Sequence, residues 1–522
     1  METRLEGARP RAILRVWALL AGYLKDQATR EAMRVGVLRT KSVEQSIRDT
    51  EEPEHQLRKD LSARDLTVFG IGVIIGTGIF VLTGIAAATK AGPAISLSFV
   101  LAGIACALAG LCYAEFASTV PVAGSAYTFS YASLGELIAW IIGWDLVLEF
   151  ALGASAVAVG WAQYFASVVP VPESISGEGS VNLVAGAIVL LLTAVMIVGV
   201  KLSARFNTVM VTIKLAVIAL FIGAGAIKIN TANWSPFIPP AAEAPKAANA
   251  VEAGRPLIEV IFGLQPLSYG WLGIGFGAAI VFFAFIGFDV VATTAEETRN
   301  PQRDMPIGIL GSLAICTILY VVVSLVLTGI VKYTQLNTAA PMADALKAVG
   351  YNWIANLVSL GALAGLTTVI LILLMGQSRV LFAMSRDRLL PGWLSSVHPR
   401  FRTPWLISLI TGAVVALIAT FIPLTTLADV VNIGTLFAFV LVSIGVIVLR
   451  RTQPDLPRAF RTPAVPLVPI LAVIACVFLM LNLGSLTWWR FAVWMAIGLV
   501  VYFTYGYRHS RLAREERPTA RR

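Results

Sequence analysis

Between Leu66 and Tyr507 the chain repeats one pattern, an apolar run of about 20 residues followed by a polar connection. A run of that length crosses the hydrocarbon of a bilayer as an α-helix, and about twelve of them can be counted. The pattern therefore predicts an all-α, polytopic membrane protein. One run is interrupted from within. Leu66 to Gly84 reads LTVFGIGVIIGTGIFVLTG and carries Gly70, Gly72, Gly76, Gly78 and Gly84. Glycine at this density weakens a helix and lets another group come close to the backbone. Hydrocarbon offers no hydrogen bonds, so a break at Ile74-Ile75-Gly76-Thr77-Gly78 is tolerated only where the freed backbone lines a buried cavity. Helix packing is the competing explanation, because Gly72-x-x-x-Gly76 is also a small-xxx-small spacing.

Residues 1–60 read as a charged tail, in which Val16 to Leu24 is too short to span and suits an interfacial helix. Residues 61–227 hold helices 1 to 5: after helix 1, helix 2 covers about Pro93 to Tyr113, and a link runs from Ala114 to Ala126. Helix 3 follows to Val168, then helix 4 from Val181 to Val200 and helix 5 from Phe206 to Ile227. Residues 228–268 form an outer loop rich in Ala and Pro. Residues 269–449 hold helices 6 to 10, starting near Tyr269, Ile307, Trp353, Leu406 and Ala428. Helices 11 and 12 occupy 450–507, and 508–522 is a basic tail. Helix 6 is the second interrupted span, with Phe283-Ala284-Phe285-Ile286-Gly287 at mid-span just before Asp289. The first and sixth helices are corresponding members of two five-helix halves. Such a pair points to an inverted-repeat transporter with its site where the repeats meet.

Composition agrees with the class: 57% of residues are hydrophobic and only 13% charged, far from a soluble domain. The net charge of +10 bears on topology. Lys and Arg crowd both tails and recur at Lys201 and Arg205, Arg299 and Arg303, Arg386 to Arg402, and Arg450 to Arg461. The alternate connections Val169 to Val181 and Ile422 to Val431 have none. Both termini are thus expected in the cytoplasm, with a plasma-membrane location and no call for a nucleic-acid partner. Cys106, Cys112, Cys316 and Cys476 lie in apolar runs without metal or redox spacing, so no disulfide is expected.

Three stretches together resemble the amino acid–polyamine–organocation superfamily, nearest its cationic amino acid transporter branch and bacterial relatives. They are GIGVIIGTGIF (Gly70 to Phe80), FAFIGFD (Phe283 to Asp289) with AEETRNPQRDMP, and GQSRVLFAMSRDRLLP (Gly376 to Pro391). The resemblance covers about Leu57 to Tyr507. It implies a LeuT-like five-plus-five fold with two added helices and coupled amino acid transport, the side chain carried being open between cationic and neutral.

An amino acid zwitterion needs donors for its carboxylate and acceptors for its ammonium. The N–H groups of Gly76, Thr77 and Gly78, at a half-helix N-terminus with a positive dipole end, suit the carboxylate. Carbonyls freed at Ile74, Phe283, Ala284 and Ile286 suit the ammonium, and the Phe283 ring serves either as a lid or as packing. Lys214 lies in helix 5, about 13 Å past Arg205 at 1.5 Å per residue. An intramembrane lysine is costly and by default a functional hypothesis. In proton-coupled members of the superfamily a helix 5 lysine takes the place of a sodium ion, and Lys214 resembles it; a structural ion pair is the alternative. Glu149 is expected either to pair with Lys214, to meet a basic substrate side chain, or to pack. Asp145 is on the same helix face. Asp289 is assigned to holding the unwound backbone, and Glu115 to a structural or gating role.

No G-x-x-x-x-G-K-[ST] loop is present for an ATP-driven pump. His55, His398 and His509 all fall in expected aqueous segments, and no H-E-x-x-H occurs, so neither an enzyme nor a metal or cofactor site is expected. The reading is a proton-coupled importer of L-amino acids. An exchanger, a sodium symporter and a non-transporting sensor remain as alternatives, and a small membrane subunit is left open.

Overall fold

The computed structural model describes Arg39 and residues 59–120, 126–176, 181–199, 204–243, 254–264, 267–401 and 403–515. The expected interfacial helix at Val16 to Leu24 lies outside them. Among the described residues eight helical stretches are long and apolar enough to cross a membrane, and three shorter apolar helices accompany them. One stretch, Gly78–Thr119, holds both the second half of helix 1 and all of helix 2, which completes the expected twelve.

Helix 1 starts at Ala63–Ile74, where Ser62 and Asp65 form a reciprocal cap: Asp65 N–H donates to Ser62 Oγ and Ser62 N–H to Asp65 Oδ2. A cap of this kind contributes about 1 kcal/mol and fixes where the helix begins. After a break at Ile75 and Gly76 it resumes as wide turns over Gly78–Leu82 and Ala87–Ala91, with an ordinary α-helical turn at Thr83–Ala86 between them. Helix 2 is Ile95–Thr119, longer than its apolar run, so Glu115 lies within it. The link to helix 3 contains a separate helix, Ala126–Ser133. Helix 3 itself begins only at Glu136, after Gly135 at φ 97°, a left-handed turn that glycine adopts without penalty. Helices 4 and 5 are Leu183–Val198 and Ala204–Ala226.

In the connection between helices 5 and 6, the short helix Leu257–Phe262 and a two-residue pairing of Ala242–Glu243 with Leu267–Ser268 precede helix 6. Helix 6 runs as Gly270–Val281, then tightens to 3-10 turns at Phe282–Phe285 and again at Asp289–Glu297. Helices 7 to 10 are Pro301–Ile330, Asn352–Arg386, Trp405–Phe421 and Leu424–Thr452. The last starts earlier than its apolar run suggests, leaving only Ile422 and Pro423 as the turn. Helices 11 and 12 are Leu467–Leu481 and Ser485–Val501, the latter continued to His509.

Helices 2, 3 and 4 pack along helices 7, 8 and 9, each against the helix five places on. The start of helix 1 and the end of helix 6 are joined by backbone: Leu61 N–H donates to Glu297 O (3.0 Å) and Arg299 N–H to Leu61 O (2.9 Å). On the same side, Glu115 is buried and accepts two bonds from Arg450 (2.9 and 2.7 Å) and one from Thr462 N–H (2.8 Å), with Arg458 Nε at 3.4 Å. Glu115 therefore clamps helix 2 to helix 10 and to the chain beyond it. The four cysteines are buried and unpaired.

Candidate substrate site at the two helix breaks

Both glycine-rich spans are broken where the sequence places the breaks. In helix 1, Ile75 is extended (ψ 93°), which ends the first half and frees its last carbonyls. In helix 6, Ile286 is extended (ψ 136°) and Gly287 sits at φ 113° with the Val73 side chain against its Cα. A side chain is strained at that φ and collides with Val73, so glycine is required twice over.

The freed carbonyls are held by two side chains. Lys214, 0% exposed, donates from Nζ to Gly72 O (2.5 Å) and to Ile75 O (3.2 Å). Tyr320 of helix 7 places its hydroxyl 2.7 Å from Ile74 O and 2.9 Å from Ala284 O. A phenol carries one proton, so the two broken helices share it. The Ile74 and Ala284 carbonyls are thus not wholly free as expected, each having the Tyr320 hydroxyl as a neighbour. Phe283 O accepts from Ile286 N–H (3.3 Å), so it too is already in use once.

The glycines divide. A Cβ on Gly76 meets nothing nearer than 3.7 Å, the Val369 side chain, so Gly76, at the start of the second half-helix, has room for a methyl group in ordinary contact. A Cβ on Gly78 overlaps the Ala284 backbone, so Gly78 is where the two breaks touch. Thr77 is fully buried, packs against Gly160 of helix 3, and its hydroxyl has no hydrogen-bond partner among the described residues. Phe283 is buried beside the break and stacks on no other ring among the described residues.

The expected Lys214–Glu149 pair does not form. The lysine is taken up by helix 1 carbonyls, and Glu149 has Asp145 and Asp289 as its charged neighbours. Both Glu149 and Asp145 are buried; the Thr435 hydroxyl stands beside Glu149, while the Asp145 carboxylate and the Tyr113 hydroxyl have no hydrogen-bond partner among the described residues. Asp289 faces the backbone amides of Gly287 and Val290, in keeping with holding the unwound segment. Tyr320 is the residue that sequence reasoning missed. Its only signal was a polar atom at mid-depth in the run ICTILYVVVSL.

Below the breaks lies a cavity of about 100 Å³ between helices 1, 5, 6 and 8, lined among others by Phe69, Asn207, Thr294 and Gly376. The Arg379–Glu297 ion pair (2.9 Å) stands in its wall. Above them the route is packed: Gly84 lies against Pro341 and Leu336 of the segment between helices 7 and 8, and Tyr164 Oη donates to Phe80 O (2.9 Å).

Residues 61–502 match the pattern of the amino acid permease family. The chain is 48% identical over 494 residues to the branched-chain amino acid permease of Bacillus subtilis, covering 92% of this chain and 100% of that one. It is 48% identical over 467 residues to the methylthioribose transporter of the same organism, covering 87% and 95%. Human cationic amino acid transporter 4 is 30% identical over 609 aligned residues, covering 92% and 91%. With two broken helices facing one another and a match over that length, the chain belongs to the amino acid permease family of the amino acid–polyamine–organocation superfamily, alongside the cationic amino acid transporters and their bacterial relatives.

Proposed function

We propose that this permease imports L-amino acids across the plasma membrane by proton symport and alternating access, with both termini in the cytoplasm. The carrying observation is Lys214 Nζ on the carbonyls of Gly72 and Ile75. A buried cation there does what a sodium ion would do, holding the broken helix by its carbonyl ends. Gain or loss of its proton changes how many donors the amine offers, and so which arrangement of helix 1 it favours. The cavity on the inner side and the packed outer side suit one half of an alternating cycle.

In this reading the substrate carboxylate meets the N–H groups of Gly76 and Thr77, with the ammonium on the Ile74, Ala284 and Ile286 carbonyls. Phe283 covers the substrate, and Glu149 takes part in side-chain recognition. The pairing of helices 2, 3 and 4 with 7, 8 and 9 supports two five-helix halves at 61–227 and 269–449. Because a methylthioribose transporter is among the relatives, one panel separates the substrate classes. Proteoliposomes with an inwardly directed proton gradient and no sodium should accumulate a radiolabelled neutral or cationic L-amino acid. Accumulation of methylthioribose alone, a need for sodium, or binding without accumulation would each overturn the proposal.

A further inference from the structure

A second polar cluster lies away from the substrate site, at the ends of helices 3 and 12. Glu136, the first residue of helix 3, is fully buried and accepts hydrogen bonds from Tyr131 Oη (3.0 Å) and Tyr502 Oη (3.0 Å). Arg39, from the distant N-terminal segment, is inserted there and is only 8% exposed. Its carbonyl accepts from Glu136 N–H (2.7 Å), satisfying one of the donors that a helix start leaves open. Its guanidinium stands 4.9 Å from the centre of the Tyr507 ring, within range of Ser510 Oγ (3.5 Å), with the Glu136 carboxylate as its opposite charge. Arginine is rarely buried without such partners, and a ring face plus a carboxylate is what a planar guanidinium recognises.

The cluster is tied to several helices of the fold. The helix Ala126–Ser133 linking helices 2 and 3 carries both Tyr131 and Tyr127, and Tyr127 Oη donates to Asp387 Oδ2 (2.7 Å) just past helix 8. The Asp387 carbonyl in turn accepts from Arg511 N–H (3.0 Å). Helix 3, the end of helix 8, the end of helix 12 and the link therefore meet around one arginine from outside the bundle.

We propose that Glu136, Tyr507 and Ser510 form a socket for an arginine of the N-terminal segment, and that its occupation by Arg39 slows the transport cycle. A docked group stabilises only the arrangement it fits, so extra stability in one state of a cycle retards departure from it. The kinetic half of this inference rests on the chain being a transporter; the docking half does not.

The test uses the full chain. All four native cysteines are buried, so S510C supplies a single reporter beneath Arg39. In R39A, Cys at that position should react with a maleimide about tenfold faster than in the Arg39 protein, and R39K, which keeps the charge but not the planar fork, should react at an intermediate rate. Without the reporter, R39A should roughly double the turnover of uptake at unchanged KM, and R39K should raise it less. Equal maleimide rates would overturn the socket, whatever the substrate proves to be. Unchanged or reduced turnover in R39A, with the faster labelling present, would overturn the brake.

Discussion

Tyr320 offers one proton to carbonyls of two different broken helices, at 2.7 and 2.9 Å. Its ring also packs against Phe99 and Phe285, so Tyr320→Phe removes the bond and keeps the packing. A buried carbonyl left one donor short costs about 1–3 kcal/mol. We expect Tyr320→Phe to remain monodisperse and to lose about tenfold in substrate affinity by equilibrium binding; unchanged affinity would remove Tyr320 from the site. The sequence could not single this tyrosine out, because its ring counts with the apolar residues around it. Gly76 and Gly78 were indistinguishable in the sequence for a related reason: what faces each is decided by helices 6 and 8. Gly76→Ala should bind normally and Gly76→Leu should not bind, since a methyl group only reaches ordinary contact with Val369 while the longer side chain must displace its neighbours. Normal binding by Gly76→Leu would place the substrate elsewhere.

At the scale of elements, the two breaks were legible because glycine clusters within an apolar span have few other uses. Helix ends were less so. Helix 2 outlasts its apolar run, carrying Glu115 inside the fold where Arg450, Arg458 and Thr462 N–H meet its carboxylate. Those partners arrive from residues far along the chain, so nothing near Glu115 announces them. The same distance explains Lys214, whose depth was readable while its carbonyl partners were not. Removing one member of a buried charge cluster leaves the others uncompensated, a loss on the order of 3 kcal/mol. Glu115→Gln should therefore lower the midpoint of thermal unfolding in detergent, while Gly78→Ala should do so by forcing helices 1 and 6 apart. If either variant melts with the parent protein, the corresponding contact is not holding the fold.

For the whole molecule, connections rich in Lys and Arg alternate with connections that have neither, and the positive-inside rule turns that alternation into an expected orientation. Ser174 and Arg400 are both exposed, on opposite connections, and the native cysteines are buried. With an impermeant maleimide on intact cells, S174C should be labelled and R400C should not; labelling of R400C would invert the topology. The central claim is that Lys214 couples a proton to movement of the substrate. Its most direct test is accumulation of a bound L-amino acid in sodium-free proteoliposomes under an inwardly directed pH gradient, comparing the parent chain with Lys214→Met. The account predicts uphill accumulation by the parent and none by Lys214→Met, which keeps the length of the side chain without its charge. Uphill accumulation by Lys214→Met would contradict it.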